Sequence, residues 1–249
     1  GGVGIDHLEC SLDGTSFTAC SSPVQFTSAN ITDGTHTFEV LSVDNSTNKD
    51  PSPASFTWTV DTIPPETSIL SAIDGNESIV TTGQNTSSNL ISFEFSGNDT
   101  GGVGIDHLEC SLDRTSFTPC SSPVQFTSAN ITHATHTFEV LSVDNSTNKD
   151  PSPASFDWKV DTIAPTANIN SAIDGNNSTI TNSSNTKSNT VMFEFSGNDT
   201  GGVGIDHLEC SLDGTSFSAC TSPVQFTSAN ITDGTHTFEV LSVDNSTNK

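Results

Sequence analysis

Six cysteines fall into three equal pairs, Cys10/Cys20, Cys110/Cys120 and Cys210/Cys220, each pair ten positions apart. Metal knuckles use two intervening residues with further Cys or His close by, and this spacing does not match them. One pair per hundred residues, with no odd thiol left over, reads as a local disulfide formed in an oxidising, extracellular place. A second chemistry lies in the acids. Asp61, Asp99, Asp106 and Asp144, and a hundred residues later Asp161, Asp199, Asp206 and Asp244, are hard oxygen ligands of the kind Ca²⁺ selects. Asp and Asn also serve turns for purely backbone reasons, and no EF-hand or nonapeptide calcium motif accompanies them. Asn-x-Ser/Thr acceptor triplets for N-linked glycans are dense: Asn30, Asn45, Asn76, Asn85, Asn98, Asn130, Asn145, Asn177, Asn182, Asn198, Asn230 and Asn245 are among them. Loop positions such as Asn145, Asn177 and Asn182 are the most accessible of these expectations. Six of the seven histidines recur at two positions, His7/His107/His207 and His36/His136/His236. A catalytic imidazole needs a nucleophile and a pocket. Here each sits beside Thr or Asp with no nucleophile motif, so a structural role is predicted, and no enzyme activity. His133 stands where the sister copies carry Asp33 and Asp233.

The elements that must position these groups follow from internal repetition. The run Gly1 to Cys10 returns letter for letter at Gly101 to Cys110 and at Gly201 to Cys210, a period of 100. That is too long for a solenoid unit and is the size of one independent domain. Val60-Asp61-Thr62-Ile63-Pro64-Pro65 and its copy Val160-Asp161-Thr162-Ile163-Ala164-Pro165 mark the joints, because proline belongs at strand starts and linkers. The expected division is a partial domain over 1–61 lacking its first strands, a complete one over 62–161, and a partial one over 162–249 lacking its last strand. The complete copy predicts strand A at Glu66 to Ala72 and strand B at Asn89 to Ser96. Strand C covers Ile105 to Leu112, C′ Ser116 to Cys120, E holds Val124 and Phe126, F runs Thr135 to Val143 and G Ala154 to Val160. Seven short alternating strands in about 100 residues describe an all-β fold of tandem immunoglobulin-like sandwiches. Thr115 is the midpoint of Cys110 and Cys120, which predicts that the two face each other across the C–C′ hairpin. The B–C and F–G loops and the incoming linker share one pole of such a sandwich, so the Asp sets above are expected to converge there on calcium. Without metal, flexing is expected at Pro64 and Pro165.

Composition limits the partners. Thirty acidic residues against six basic ones leave a net charge of −24 and a pI near 4.1. Nucleic acid and anionic lipid surfaces repel such a chain. No apolar run approaches the 18–20 residues of a membrane helix. Low hydrophobicity with high charge also suits disorder, but 15 Phe and clear period-two alternation oppose that reading. The chain begins within a repeat, so the lack of a leader carries no information.

The stretches Phe95-Ser96-Gly97-Asn98-Asp99, Leu108-Glu109-Cys110-Ser111-Leu112-Asp113, Cys120-Ser121-Ser122-Pro123-Val124, Thr135-His136-Thr137-Phe138-Glu139-Val140 and Phe156-Asp157-Trp158-Lys159-Val160-Asp161 carry a resemblance. In this order they resemble the Ig-like repeats of large bacterial and archaeal surface proteins. The resemblance covers the whole chain. It implies an Ig-like fold and a place on a prokaryotic cell surface, as a fibre, filament or stalk, or as the repeat region of an adhesin presenting a distal binding domain. Implied partners are copies of the chain or the rest of a longer polypeptide, and other cell surfaces. The chain departs from the usual pattern in having no Tyr and a long Ser/Thr/Asn-rich A–B segment. A carbohydrate-binding module would show a row of exposed aromatics. Tyr is absent, and both Trp fall on strand G positions expected to be buried.

Overall fold

Alternating apolar residues leave each strand with one face to bury; in the middle repeat two sheets close on each other, whereas the first repeat forms one sheet on which Phe56 stays exposed. The computed structural model describes residues 2–249. The first repeat contributes β1 (Ile5–Leu12), β2 (Thr18–Cys20), β3 (Gly34–Asp44) and β4 (Ala54–Val60), paired in the order β2-β1-β3-β4. The middle repeat contributes β5 (Glu66–Asp74), β6 (Asn85–Thr86), β7 (Ile91–Asn98), β8 (Ile105–Leu112), β9 (Thr118–Cys120), β10 (Val124–Phe126), β11 (Thr135–Asp144) and β12 (Ala154–Val160). These form a three-stranded sheet, β10-β7-β5, facing a five-stranded sheet, β6-β12-β11-β8-β9. The third repeat supplies β13 (Thr166–Asp174), β14 (Val191–Asn198), β15 (Ile205–Leu212), β16 (Ser218–Cys220), β17 (Val224–Phe226) and β18 (Phe238–Asp244), paired as β13-β14-β17 and β16-β15-β18. The fold is a tandem of immunoglobulin-like β-sandwiches.

The middle core shows how the pattern becomes packing. On β7, Ile91, Phe93 and Phe95 are buried while Glu94 and Ser96 are exposed. On β12, Phe156, Trp158 and Val160 point the same way, inward. Phe138 and Val140 of β11 and Ile131 complete the centre, all without exposed surface. Phe93 stacks on Phe138 at 4.5 Å between ring centroids and meets Trp158 edge-on at 5.3 Å. These contacts join the two sheets. Glycine suits the place where β7 passes β11: a Cβ on Gly97 would displace the Ser142 hydroxyl and press on the Ser142 Cβ at 3.1 Å. That hydroxyl instead hydrogen-bonds the Thr67 hydroxyl of β5 at 2.8 Å, tying sheet to sheet.

The structure differs from expectation in two local features. The polar A–B segment is not idle. It crosses to the opposite sheet as β6, pairing parallel with β12 through Lys159↔Asn85 and Val160↔Thr86. The hairpin register also differs. Asp113 and Arg114 both take left-handed φ values, 53° and 60°, and Thr115 N–H closes the turn on the Leu112 carbonyl. A two-residue turn of this kind centres the hairpin before Thr115. With one further residue on the β9 side left out of the ladder, Cys110 opposes Thr118 and Cys120 opposes Leu108. The cysteines bridge diagonally, and the three disulfides, Cys10–Cys20, Cys110–Cys120 and Cys210–Cys220, all have Cα atoms 5.8 Å apart. Gly14 and Gly214 occupy the left-handed position that Arg114 fills.

Candidate metal centres at the joints

Each joint is built from three segments that approach one pole of a sandwich. In the linker after β4, Asp61 is buried, and its Oδ1 accepts the Ile63 N–H at 3.0 Å. Its Oδ2 accepts the Val103 N–H at 2.9 Å from the loop between β7 and β8. In that loop, Asp99 Oδ2 accepts the Gly104 N–H at 2.7 Å. At the end of β11, Asp144 is 1% exposed and closes a corner: its Oδ1 accepts the N–H groups of Ser146 and Asn148, and its Oδ2 the Asn148 side-chain amide. The same Asn148 amide reaches the Asp61 carbonyl at 3.1 Å, joining linker to corner. Asp61, Asp99 and Asp144 thereby bring one carboxylate oxygen each within 4.8 Å of one another, and Asp161, Asp199 and Asp244 repeat the arrangement. The linker is not a bare hinge either, since Pro65 is fully buried.

Asp106 and Asp206 are a correction to the expected ligand sets. They lie on β8 and β15, and their exposed carboxylates accept instead from the neighbouring His107 and His207 at Nδ1, 2.7 Å away. Each is the extra residue of a β-bulge, since Ile105 pairs with Asp144 and His107 with Val143, and likewise Ile205 with Asp244 and His207 with Val243. Asn148 and its copy Asn248 are residues the sequence reading missed. Their signal is the Asp-x-x-x-Asn spacing at Asp144 and Asp244, a side-chain-closed corner that duplicates the backbone's own turn. At the second joint His133 adds a contact absent from the first. Its Nε2 donates to the Gly201 carbonyl at 2.9 Å and its Nδ1 lies 3.1 Å from Asp161 Oδ1. In the first joint Asp33 instead accepts from the Thr62 N–H at 2.7 Å and from the Thr62 hydroxyl at 2.9 Å.

The twelve expected glycan acceptors all sit on exposed residues. They differ in what their amides do. Asn145 Nδ2 lies 3.0 Å from both the Val103 and Gly104 carbonyls, Asn245 repeats this with Val203 and Gly204, and Asn45 donates to Val3. At Asn145 and Asn245, where both hydrogens face acceptors, a sugar on that nitrogen removes one of these loop-to-loop bonds. Asn76 donates to Ser87 at 3.3 Å. Asn30, Asn130 and Asn230 use only their carbonyl oxygen, closing a turn on the N–H of Thr27, Thr127 or Thr227. Asn98 and Asn198 likewise only accept, from Thr100 and Thr200. Among the described residues, Asn85, Asn177 and Asn182 also show no acceptor for Nδ2.

The second recurring set, His36, His136 and His236, clamps a hairpin to a loop. His36 Nδ1 contacts Asp13 Oδ2 at 2.8 Å and Nε2 contacts the Thr32 carbonyl at 2.6 Å; His136 and His236 repeat both contacts. At His36 and His236, two acceptors around one ring favour the doubly protonated form. The Thr32 carbonyl first, then the Asp13 carboxylate, hold the His36 imidazole above its usual range. At His236 the Asp213 carboxylate is the larger cause. Asp13 and Asp213 are correspondingly lowered by their histidines. The imidazole contribution to stability is fully present below about pH 6.5, the unfolded value, and is lost as pH rises through the raised folded value. The carboxylate contribution is present above about pH 4 and is lost as pH falls through the lowered folded values. Thermal melts in EDTA from pH 3 to pH 9 are expected to peak between about pH 4.5 and 6.5. His36→Gln combined with His236→Gln is expected to reduce the alkaline limb, the remainder belonging to His7, His107 and His207, which their Asp neighbours also raise. An alkaline limb identical in parent and variant overturns the assignment.

No family profile and no curated protein sequence matches the chain. Among solved structures it is similar to the fibronectin(III)-like modules of Clostridium thermocellum CbhA, at 11% identity and TM-score 0.33, over 63% of this chain and 78% of that one. It is also similar to the extracellular domain of a putative one-component system from B. thetaiotaomicron, at 10% identity and TM-score 0.31 over 51% of this chain. The match spans 24% of that longer protein. The central fibronectin-III array of RIM-binding protein matches at 11% identity and TM-score 0.23, over 96% of this chain and 83% of that array. Among the described residues no helix is long and apolar enough to cross a membrane.

Proposed function

We propose that the chain is a non-catalytic spacer, a segment of an extracellular fibre or stalk on a prokaryotic cell surface. The observation that carries this reading is the near-verbatim repetition of one disulfide-clamped sandwich with side-chain-tied joints. Repetition adds length without adding a new site, which suits a device whose task is reach. The disulfides suit an oxidising exterior. The −24 charge keeps neighbouring strings apart in solution. N-linked glycans are proposed at the acceptors whose amides are not engaged, Asn130 and Asn177 foremost, where a sugar leaves the loops intact.

Small-angle scattering tests the reading. A compact globule of 249 residues has a radius of gyration of about 18 Å. Sandwiches of about 40 Å placed end to end give a rod with a radius of gyration on the order of 30 Å. A value near that of the globule would overturn the spacer reading, because folding back defeats reach.

A further inference from the structure

We propose that each joint binds one calcium ion. The three carboxylates at each joint come from separate segments, the linker, the loop before the C-type strand and the corner after β11 or β18, and converge to within 4.8 Å. Convergence of acids alone assigns nothing. The deciding observation is which oxygens are left over. Asp161 has no exposed surface; its Oδ1 takes the Ile163 N–H at 3.0 Å and faces His133, while its Oδ2 is buried with no hydrogen-bond partner. Asp199 uses Oδ2 for the Gly204 N–H at 2.7 Å, and its Oδ1 is likewise buried without a partner. Asp99 Oδ1 shows the same orphaned state in the first joint. A buried carboxylate oxygen without a donor is costly unless a cation faces it. Among the described residues no Lys or Arg forms an ion pair with any of the six acids.

The chemistry of the set selects the ion. Hard anionic oxygens from three separate segments suit Ca²⁺, which accepts six to eight oxygens in adaptable geometry, with carbonyls and water completing the shell. Mg²⁺ demands a small, near-ideal octahedron and gives up its water reluctantly. Backbone N–H groups of Ile63, Gly104 and Ser146 already orient the three carboxylates of the first joint, so binding requires little ordering. A cation held by all three segments clamps the linker to the next sandwich. The site is independent of the spacer reading: a rod in scattering that persists in EGTA sustains the spacer whatever the fate of the metal.

The test uses the whole oxidised chain, stripped with EDTA and titrated with calcium chloride by calorimetry. Two ions per chain are expected, in or below the 10⁻⁴–10⁻³ M range typical of extracellular modules. At ten times Kd the melting temperature should rise by roughly 5–10 °C, reversed by EGTA. Magnesium chloride at equal concentration should give less than half that rise. Asp99→Asn with Asp199→Asn should abolish both the heat and the shift, whereas Asp106→Asn with Asp206→Asn should leave them unchanged. If the first double variant does not fold, the stoichiometry and EGTA reversal of the parent decide. No heat and no shift up to 10 mM calcium overturns the proposal. So does uptake of many more than two ions insensitive to Asp99→Asn with Asp199→Asn, the behaviour of diffuse counterions around an acidic string.

Discussion

Phe93→Ala is expected to destabilise the middle sandwich by about 3–5 kcal/mol. Phe93 has no exposed surface and sits on β7, the central strand of the three-stranded sheet. Its ring stacks on Phe138 at 4.5 Å and meets Phe156, Trp158 and Phe126 edge-on at 5.2, 5.3 and 6.2 Å. Apart from Phe126, these partners belong to the facing sheet, so this one side chain bridges the layers at three aromatic contacts. Truncation leaves a cavity that strands fixed by their ladders cannot close, and the cavity cost adds to the lost burial. Urea unfolding followed by Trp158 fluorescence in a Trp58→Phe background isolates the middle unit, because these are the only two tryptophans. Phe93→Leu, which retains most of the volume, should cost about 1–1.5 kcal/mol. A loss below about 1.5 kcal/mol for the alanine variant would mean that the sheets do not pack through this ring.

The sandwich was legible because its strands obey period two over long stretches. Strands C and G coincide with β8 and β12, and A, B and F end within two residues of β5, β7 and β11. β6 was not legible, since two polar residues, Asn85 and Thr86, carry no periodicity; only the need of β12 for an edge partner places them. The diagonal disulfides depend on backbone that counting cannot see. The left-handed Asp113 and Arg114 shift the hairpin centre. At the joints, topology alone was enough to bring Asp61, Asp99 and Asp144 to one pole. It could not exclude Asp106, whose fate is decided by a β-bulge at the start of β8 and by His107 one residue away. Nor could it show Asn148, a hinge pin whose partner, the Asp61 carbonyl, lies 87 positions away in the chain. The histidine clamps were readable as structural, but their Asp13, Asp113 and Asp213 partners required the fold, 23 residues apart across a loop.

Cys110→Ala combined with Cys120→Ala is expected to lower the stability of the middle sandwich by about 2–3 kcal/mol. The cross-link closes a loop of sequence separation 10, and chain-entropy arithmetic for so short a loop gives a value in this range. The location decides what is lost. β9 is a three-residue strand at the outer edge of the five-stranded sheet, attached only to β8. So short an edge strand has few bonds to hold it, and the disulfide is its main tether. Without the bridge, the Asp113–Arg114 turn still aligns the hairpin, but β9 can peel from β8 and expose Leu108 and Val124 beside the core. Hydrogen exchange should therefore rise first at residues 118–120, ahead of the buried centre around Ile91 and Val140. The same bridge recurs in all three repeats, so reductant on the parent chain should weaken each unit by a similar amount. Unchanged urea midpoints for the double alanine variant, with unchanged exchange at residues 118–120, would show that the turn and ladder hold β9 unaided.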